Sequence, residues 1–91
     1  MIVTVLLFAR WREVLGTSHL AVELPTPTVA ALRGELARQQ PNLTDLLART
    51  AIAVNNDVAD DARLLQSTDE IALLPPVSGG APLRHLRLLI P

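Results

Sequence analysis

An α+β domain, with a sheet of four to five strands and one main helix packed across it, is predicted by three features of this 91-residue sequence. Short apolar runs with β-branched residues occur near both ends and in the middle. A single longer segment carries its leucines at helical spacing. The prolines, and every glycine but Gly34, fall between these segments, so the order reads strand, strand, helix, strand, strand.

Ile2 to Phe8 is apolar and too short for a stable helix, which predicts a buried strand. "ARWREVLG" follows as one or two helical turns stopped at Gly16, a residue suited to the left-handed position after a helix. Ser18 to Leu24 alternates apolar and polar residues and ends at Pro25, so strands one and two are expected to pair antiparallel. Thr28 is placed to cap "VAALRGELARQQ", a helix from about Val29 to Gln40 whose buried stripe is Val29, Leu32 and Leu36, and Pro41 forbids its continuation. Gly34 costs such a helix about 1 kcal/mol relative to Ala, and close packing on the sheet is the expected compensation. "LTDLLART" gives a second, shorter helix, "AIAVN" a strand running into a turn, and "EIALLPP" a last strand closed by prolines.

Composition narrows the function. The chain is 49% hydrophobic with one Phe, one Trp and no Tyr, so aliphatic side chains fill the core and there is no aromatic platform for stacking bases. Its eight basic residues are all Arg, scattered among nine acids for a net charge of −1, which leaves no electrostatic footprint for nucleic acid. Without Lys, the chain offers no side-chain amine for polymerisation through itself. Zero Cys removes disulfides, thiolate nucleophiles and Cys-based zinc sites. The apolar start "MIVTVLLFA" lacks a basic leader region and is shorter than the ~20 residues of a membrane span, so a soluble, cytoplasmic protein with no membrane partner is expected.

No catalytic constellation emerges. Asp57, Asp60 and Asp61 lack the ligand spacing and turn glycine of a calcium loop and read as a solvated loop face. His19 and His85 have no companions at metal-ligand spacing, and His19 falls at an edge-strand position, so no metal site is assigned. Phe8, Val58 and Leu74 read first as core on hydrophobicity alone. Gly79-Gly80 alone reads as a turn or linker, yet Pro75 and Pro76 remove successive backbone donors and favour an extended exit from the sheet.

"LLFARWREVLG", "TVAALRGEL", "AVNND" and "TDEIALLPPVSGG" occur in this order over residues 1 to 80. Together they make the chain resemble the small subunits of molybdopterin synthase, β-grasp sulfur carriers akin to the thiamine-pathway carrier and to ubiquitin. The resemblance implies a non-catalytic small subunit of a sulfurtransferase. Gly80, preceded by Gly79, would carry the chemistry: its carboxylate is adenylated with ATP on a partner enzyme and converted to a thiocarboxylate. The arm then enters the large subunit and delivers sulfur to cyclic pyranopterin monophosphate in molybdenum cofactor biosynthesis. Sulfur riding on the C-terminus needs no Cys, and the carrier itself binds no cofactor. The resemblance also implies that Phe8, Val58 and Leu74, with Pro75, Pro76 and Val77, contact the large subunit and the adenylating enzyme.

Two features depart from that family. Thr68 stands where Gly usually precedes the Asp-Glu pair, and a β-branched residue would be strained if the turn required positive φ. Eleven residues follow Gly80, so residues 1–80 read as the carrier domain with an arm at 75–80, and 81–91 as an extension. An amide after Gly80 leaves no carboxylate to adenylate, so removal of the tail is expected before sulfur can be loaded. In the tail, Leu83, Leu86 and Ile90 fall at helical spacing, able to fold back on the apolar patch or extend away from it. The alternatives are a β-grasp interaction module or ubiquitin-like modifier that transfers no sulfur, and the front part of a fusion to a second domain.

Overall fold

The computed structural model describes residues 1–76. Its elements run β1 (Ile2–Leu7), α1 (Arg10–Leu15), β2 (His19–Glu23), α2 (Val29–Gln39), a 3₁₀ turn (Pro41–Leu43), α3 (Thr44–Ala48), β3 (Ala51–Val54), β4 (Asp57–Val58) and β5 (Ile71–Leu74). The strands form one five-stranded mixed sheet in the order β2-β1-β5-β3-β4. β1 pairs antiparallel with β2 and parallel with β5, and β3 lies antiparallel to both β4 and β5. Terminal strands thus meet at the centre of the sheet, with the helix-bearing segment passing over one face, which is the β-grasp architecture.

Period-two alternation sorts the strand residues between the faces. Val3, Val5 and Leu7 of β1, Val22 of β2, Ile52 and Val54 of β3, and Ile71 and Leu73 of β5 all point into the main core. They meet Val29, Leu32 and Leu36 of α2, each at most 1% exposed, together with Trp11, Leu47 and Leu65. The expected helical stripe is therefore the one the fold buries.

The N-terminus of α2 is fully provided with acceptors. Thr28 caps it in extended conformation, its Oγ1 accepting from Ala31 N at 3.1 Å. The preceding donors go to a loop that crosses the helix end, Val29 N to Arg63 O and Ala30 N to Asp61 O. That loop is tied in turn by Leu65 N to Pro27 O at 2.8 Å and by burial of Leu65. Three backbone donors that a free helix would leave to water depend on these partners.

Two expectations need correction. Gly34 is exposed, and a Cβ built there meets nothing within 4 Å, so close packing does not explain it. Thr68 is not among the residues with positive φ; those are Ala9, Asn55, Asn56 and Gly16, so the β-branched side chain is accommodated where it stands. The strand β4 was hidden in the sequence because it is only two residues long and exists through a tight turn. Asn55 and Asn56, at φ 53° and 72°, give the doubly left-handed turn that matches hairpin twist.

Candidate functional site

The second face of the sheet carries no helix among the described residues. Register places His19, Leu6, Ala72, Ala53 and Val58 in one cross-strand row, because each is paired directly with the next. A second row holds Leu74 beside Ala51, with Phe8 following the last pair of β1 and β5. Ala53, Ala72 and Leu74 form a small apolar cluster against Leu6, Phe8 and Ala51, separate from the main core. Small residues floor the centre and larger ones stand around it, which makes the face shallow and receptive.

Phe8, Val58 and Leu74 therefore share this face, but not the same exposure. Val58 is 48% exposed at the outer strand, Phe8 is half-buried, and Leu74 is 7% exposed. The core reading of these residues holds for Leu74, which lies on the central strand β5 and is screened by its neighbours in the cluster, whereas a contact surface made of all three would need each side chain exposed. Pro75 is buried and Pro76 exposed, so the chain emerges at the end of β5, on the edge of this face. Val77, Gly79, Gly80 and the 81–91 extension lie outside the described residues.

A tight turn positions Phe8. Trp11 N donates to Phe8 O at 3.1 Å across Ala9, whose φ of 49° and ψ of −119° belong to a region that residues with a Cβ rarely visit. This turn sends Trp11 into the main core while Phe8 stays on the other face. Strain of this kind persists only where the surroundings impose it. Here the buried indole does so, its Nε1 donating to Thr50 Oγ1 at 2.9 Å.

Beside Leu6 and Phe8 the face deepens into an open cleft of about 270 Å³, which Arg12, His19 and Glu70 also line. Ser18 Oγ and His19 Nδ1 lie 2.8 Å apart at its rim, and His19 is exposed on edge strand β2. Both signs of charge are present, so the cleft suits a polar peptide flank more than a single ion.

On the β3 side of Glu70, Asn55 staples the β3–β4 turn to the start of β5. Its Nδ2 donates to Asp69 Oδ1 at 3.0 Å, its Oδ1 accepts from Glu70 N at 2.9 Å, and its backbone N donates to Glu70 O at 2.7 Å. Asp69 Oδ2 also accepts from Gln66 N at 2.8 Å. The Gln66 N–H first, and the Asn55 amide second, hold the Asp69 carboxyl below its ordinary value. Elsewhere, Asp60 accepts from Ala62 N and Asp61 pairs with Arg33 at 3.3 Å, so these acids brace their loop.

Leu6, Ala51, Ala53 and Ala72 were missed in the sequence. Their signal was the i, i+2 phase of Leu6–Phe8, Ala51–Ala53 and Ala72–Leu74, which has meaning only once the strands are in register.

A mixed five-stranded sheet with one helix-covered face and one apolar face, its central strand β5 followed by Pro75 and Pro76, defines a small β-grasp domain of the ubiquitin-like type. Residues 5–80 match the ThiS family, and the chain belongs to it. It is 38% identical over 80 residues to the molybdopterin synthase sulfur carrier subunit of Escherichia coli K12, covering 86% of this chain and 99% of that protein. Among solved structures, the small archaeal modifier protein 1 of Methanosarcina acetivorans is similar with a TM-score of 0.72 at 29% identity, covering 87% of this chain and 96% of that one. Another similar structure is a complex of subunits 1 and 2 of molybdopterin-converting factor from Helicobacter pylori, with a TM-score of 0.62 at 28% identity over 88% of this chain and all of the other.

Proposed function

We propose that this protein is a sulfur carrier of molybdenum cofactor biosynthesis, with Gly80 as the carrier position and the open sheet face as the surface that docks on the large subunit of molybdopterin synthase. The observation that carries the reading is the continuity of the apolar face with the arm. Leu74 belongs to the face, and Pro75, Pro76, Val77, Ser78, Gly79 and Gly80 follow it directly in sequence. A partner gripping the face at Phe8, Val58 and Leu74 then receives the arm at a fixed starting point. The similarity to named sulfur carrier subunits, and to a subunit that forms a complex in H. pylori, supports this choice of partner.

The chemistry requires little of the folded domain. A carboxylate oxygen of Gly80 attacks the α-phosphate of ATP on the adenylating partner and releases pyrophosphate. A sulfide equivalent supplied from elsewhere then attacks the acyl carbon, forming the C–S bond as the bond to AMP breaks, and the resulting thiocarboxylate is presented to cyclic pyranopterin monophosphate in the large subunit. Two glycines at the tip keep the arm thin enough for a narrow channel, and two prolines lower the entropy lost on insertion. Because a peptide bond follows Gly80, the tail is removed before the first step.

ATP–pyrophosphate exchange with the adenylating enzyme tests this directly. The form ending at Gly80 supports exchange and the intact chain does not; equal exchange by the intact chain, its tail still attached by mass, overturns the assignment of Gly80. A modifier role is the second reading, favoured by the likeness to the archaeal modifier protein. In that case Gly80 is recovered joined to lysine amines of other proteins instead of as a thiocarboxylate.

A further inference from the structure

We propose that Ala9 is a positioning residue for partner docking: its methyl holds the Phe8–Trp11 turn in one conformation, so that Phe8 stands in place on the open face before the large subunit binds. The inference rests on the proposed function, and it begins from a mismatch between residue and backbone. Ala9, at φ 49° and ψ −119°, occupies the first central position of a turn closed by Trp11 N donating to Phe8 O at 3.1 Å. These angles lie near the roughly +60° and −120° of a type II′ turn, a position suited to glycine. Among the described residues the other positive φ values belong to Asn55, Asn56 and Gly16, residue types that tolerate them. Alanine is the exception.

Burial does not offset the strain. Ala9 is exposed and belongs to neither apolar cluster, so the free domain has no core contact to lose by a glycine here. What the methyl removes is freedom. Glycine reaches both signs of φ with ease, whereas alanine at positive φ is confined to narrow regions. The neighbours select among them.

Trp11 is wholly buried in the main core, and three residues earlier Phe8 packs on the opposite face against Ala53, Ala72 and Leu74. Between these anchors Ala9 O accepts from Glu13 N at 3.0 Å, which fixes the orientation of the linking peptide. With alanine, one turn joins the two side chains. With glycine, Phe8 can leave its cluster while Trp11 stays in place. A side chain already held in its bound position loses less entropy on docking, so a residue that weakens the fold strengthens the contact. Local backbone rules are broken at functional positions for such reasons.

Ala9→Gly in the intact chain separates this role from a structural one, because the two readouts move in opposite directions. The urea midpoint should rise, since relief of the strained φ outweighs the added freedom of glycine in the unfolded chain. Affinity for the large subunit, by calorimetric titration, should fall about two- to tenfold, the range expected for one side chain left to be ordered on binding. In the free chain, nuclear Overhauser contacts from the Phe8 ring to the methyls of its cluster should weaken while those within the main core persist. A double-mutant cycle identifies the route: in a Phe8→Ala background, Ala9→Gly should no longer change the affinity. A midpoint that falls, binding that is unchanged or tighter, or the same loss with Phe8 absent overturns the inference. If Phe8→Ala itself leaves binding unchanged, the docking surface of the proposed function is wrong and this inference falls with it; if Phe8→Ala weakens binding and Ala9→Gly does not, this inference fails alone.

Discussion

The indole Nε1 of Trp11 donates to Thr50 Oγ1 at 2.9 Å, joining α1 to the start of β3 across thirty-nine positions of sequence. Trp11 is 0% exposed and Thr50 3%. Thr50 Oγ1 in turn donates to Leu46 O at 2.6 Å, while the Arg33 guanidinium donates to Leu47 O and Thr50 O. One hydroxyl thus fixes the Trp that imposes the strained turn at Ala9, and with it the place of Phe8 on the open face.

Thr50→Val keeps the shape and removes the acceptor. The buried indole N–H loses its partner, at a cost of about 1–3 kcal/mol. Denaturant unfolding followed by the fluorescence of Trp11, the chain's one tryptophan, measures it. A change near zero would mean that the hydrogen bond does not organise the turn.

Neighbouring positions on α2 should respond with opposite signs. Leu36→Ala removes a side chain 1% exposed in the main core and should destabilise by about 2–5 kcal/mol. Gly34→Ala adds a methyl where nothing stands within 4 Å, and should stabilise by about 1 kcal/mol through helix propensity. Thermal melts of the two variants check both the buried stripe and the exposed one.

Acid should loosen the border of the open face. The charged form of Asp69 is favoured in the fold by the Gln66 N–H and then the Asn55 amide, so its folded pKa lies below its unfolded one. Its stabilising effect is complete above the ordinary carboxylate range and is lost as pH falls through the depressed folded value. Asp69→Asn turns one of the two acceptors toward these donors into a donor, and should flatten the acid limb of the stability profile. Glu35, held low by Arg38 first and Gln39 second, keeps its share of that limb.

Partner binding should separate from folding at Val58. This side chain is 48% exposed on β4, so Val58→Glu should alter stability by no more than about 0.5 kcal/mol. Affinity for the large subunit should fall tenfold or more, about 1.4 kcal/mol. Leu74→Glu is the contrasting variant: at 7% exposure it buries a charge and should lower stability as well as binding. Calorimetric titration beside a melt gives both quantities for each.

What the sequence disclosed follows from where the information is local. Thr28, the Val29–Leu32–Leu36 stripe and Pro41 determine α2 within a dozen residues, and the left-handed Gly16 closes α1 in the same way. The sheet faces were not local. "IALL" of β5 is buried at every position, so alternation could not separate Leu73 in the main core from Leu74 on the other face until β1 and β3 were in register. Likewise, no pattern connects Trp11 to Thr50, and the positive φ of Ala9 belongs to a residue type that does not announce it.

The central claim is that Gly80 becomes the working end of the protein, and the mass of the chain recovered from its own cells tests it most directly. A species ending at Gly80 and about 16 Da heavier than the free acid, from replacement of one carboxylate oxygen by sulfur, is the predicted result. Recovery of the chain only in its intact form ending at Pro91, or with Gly80 joined to lysines of other proteins, would contradict it.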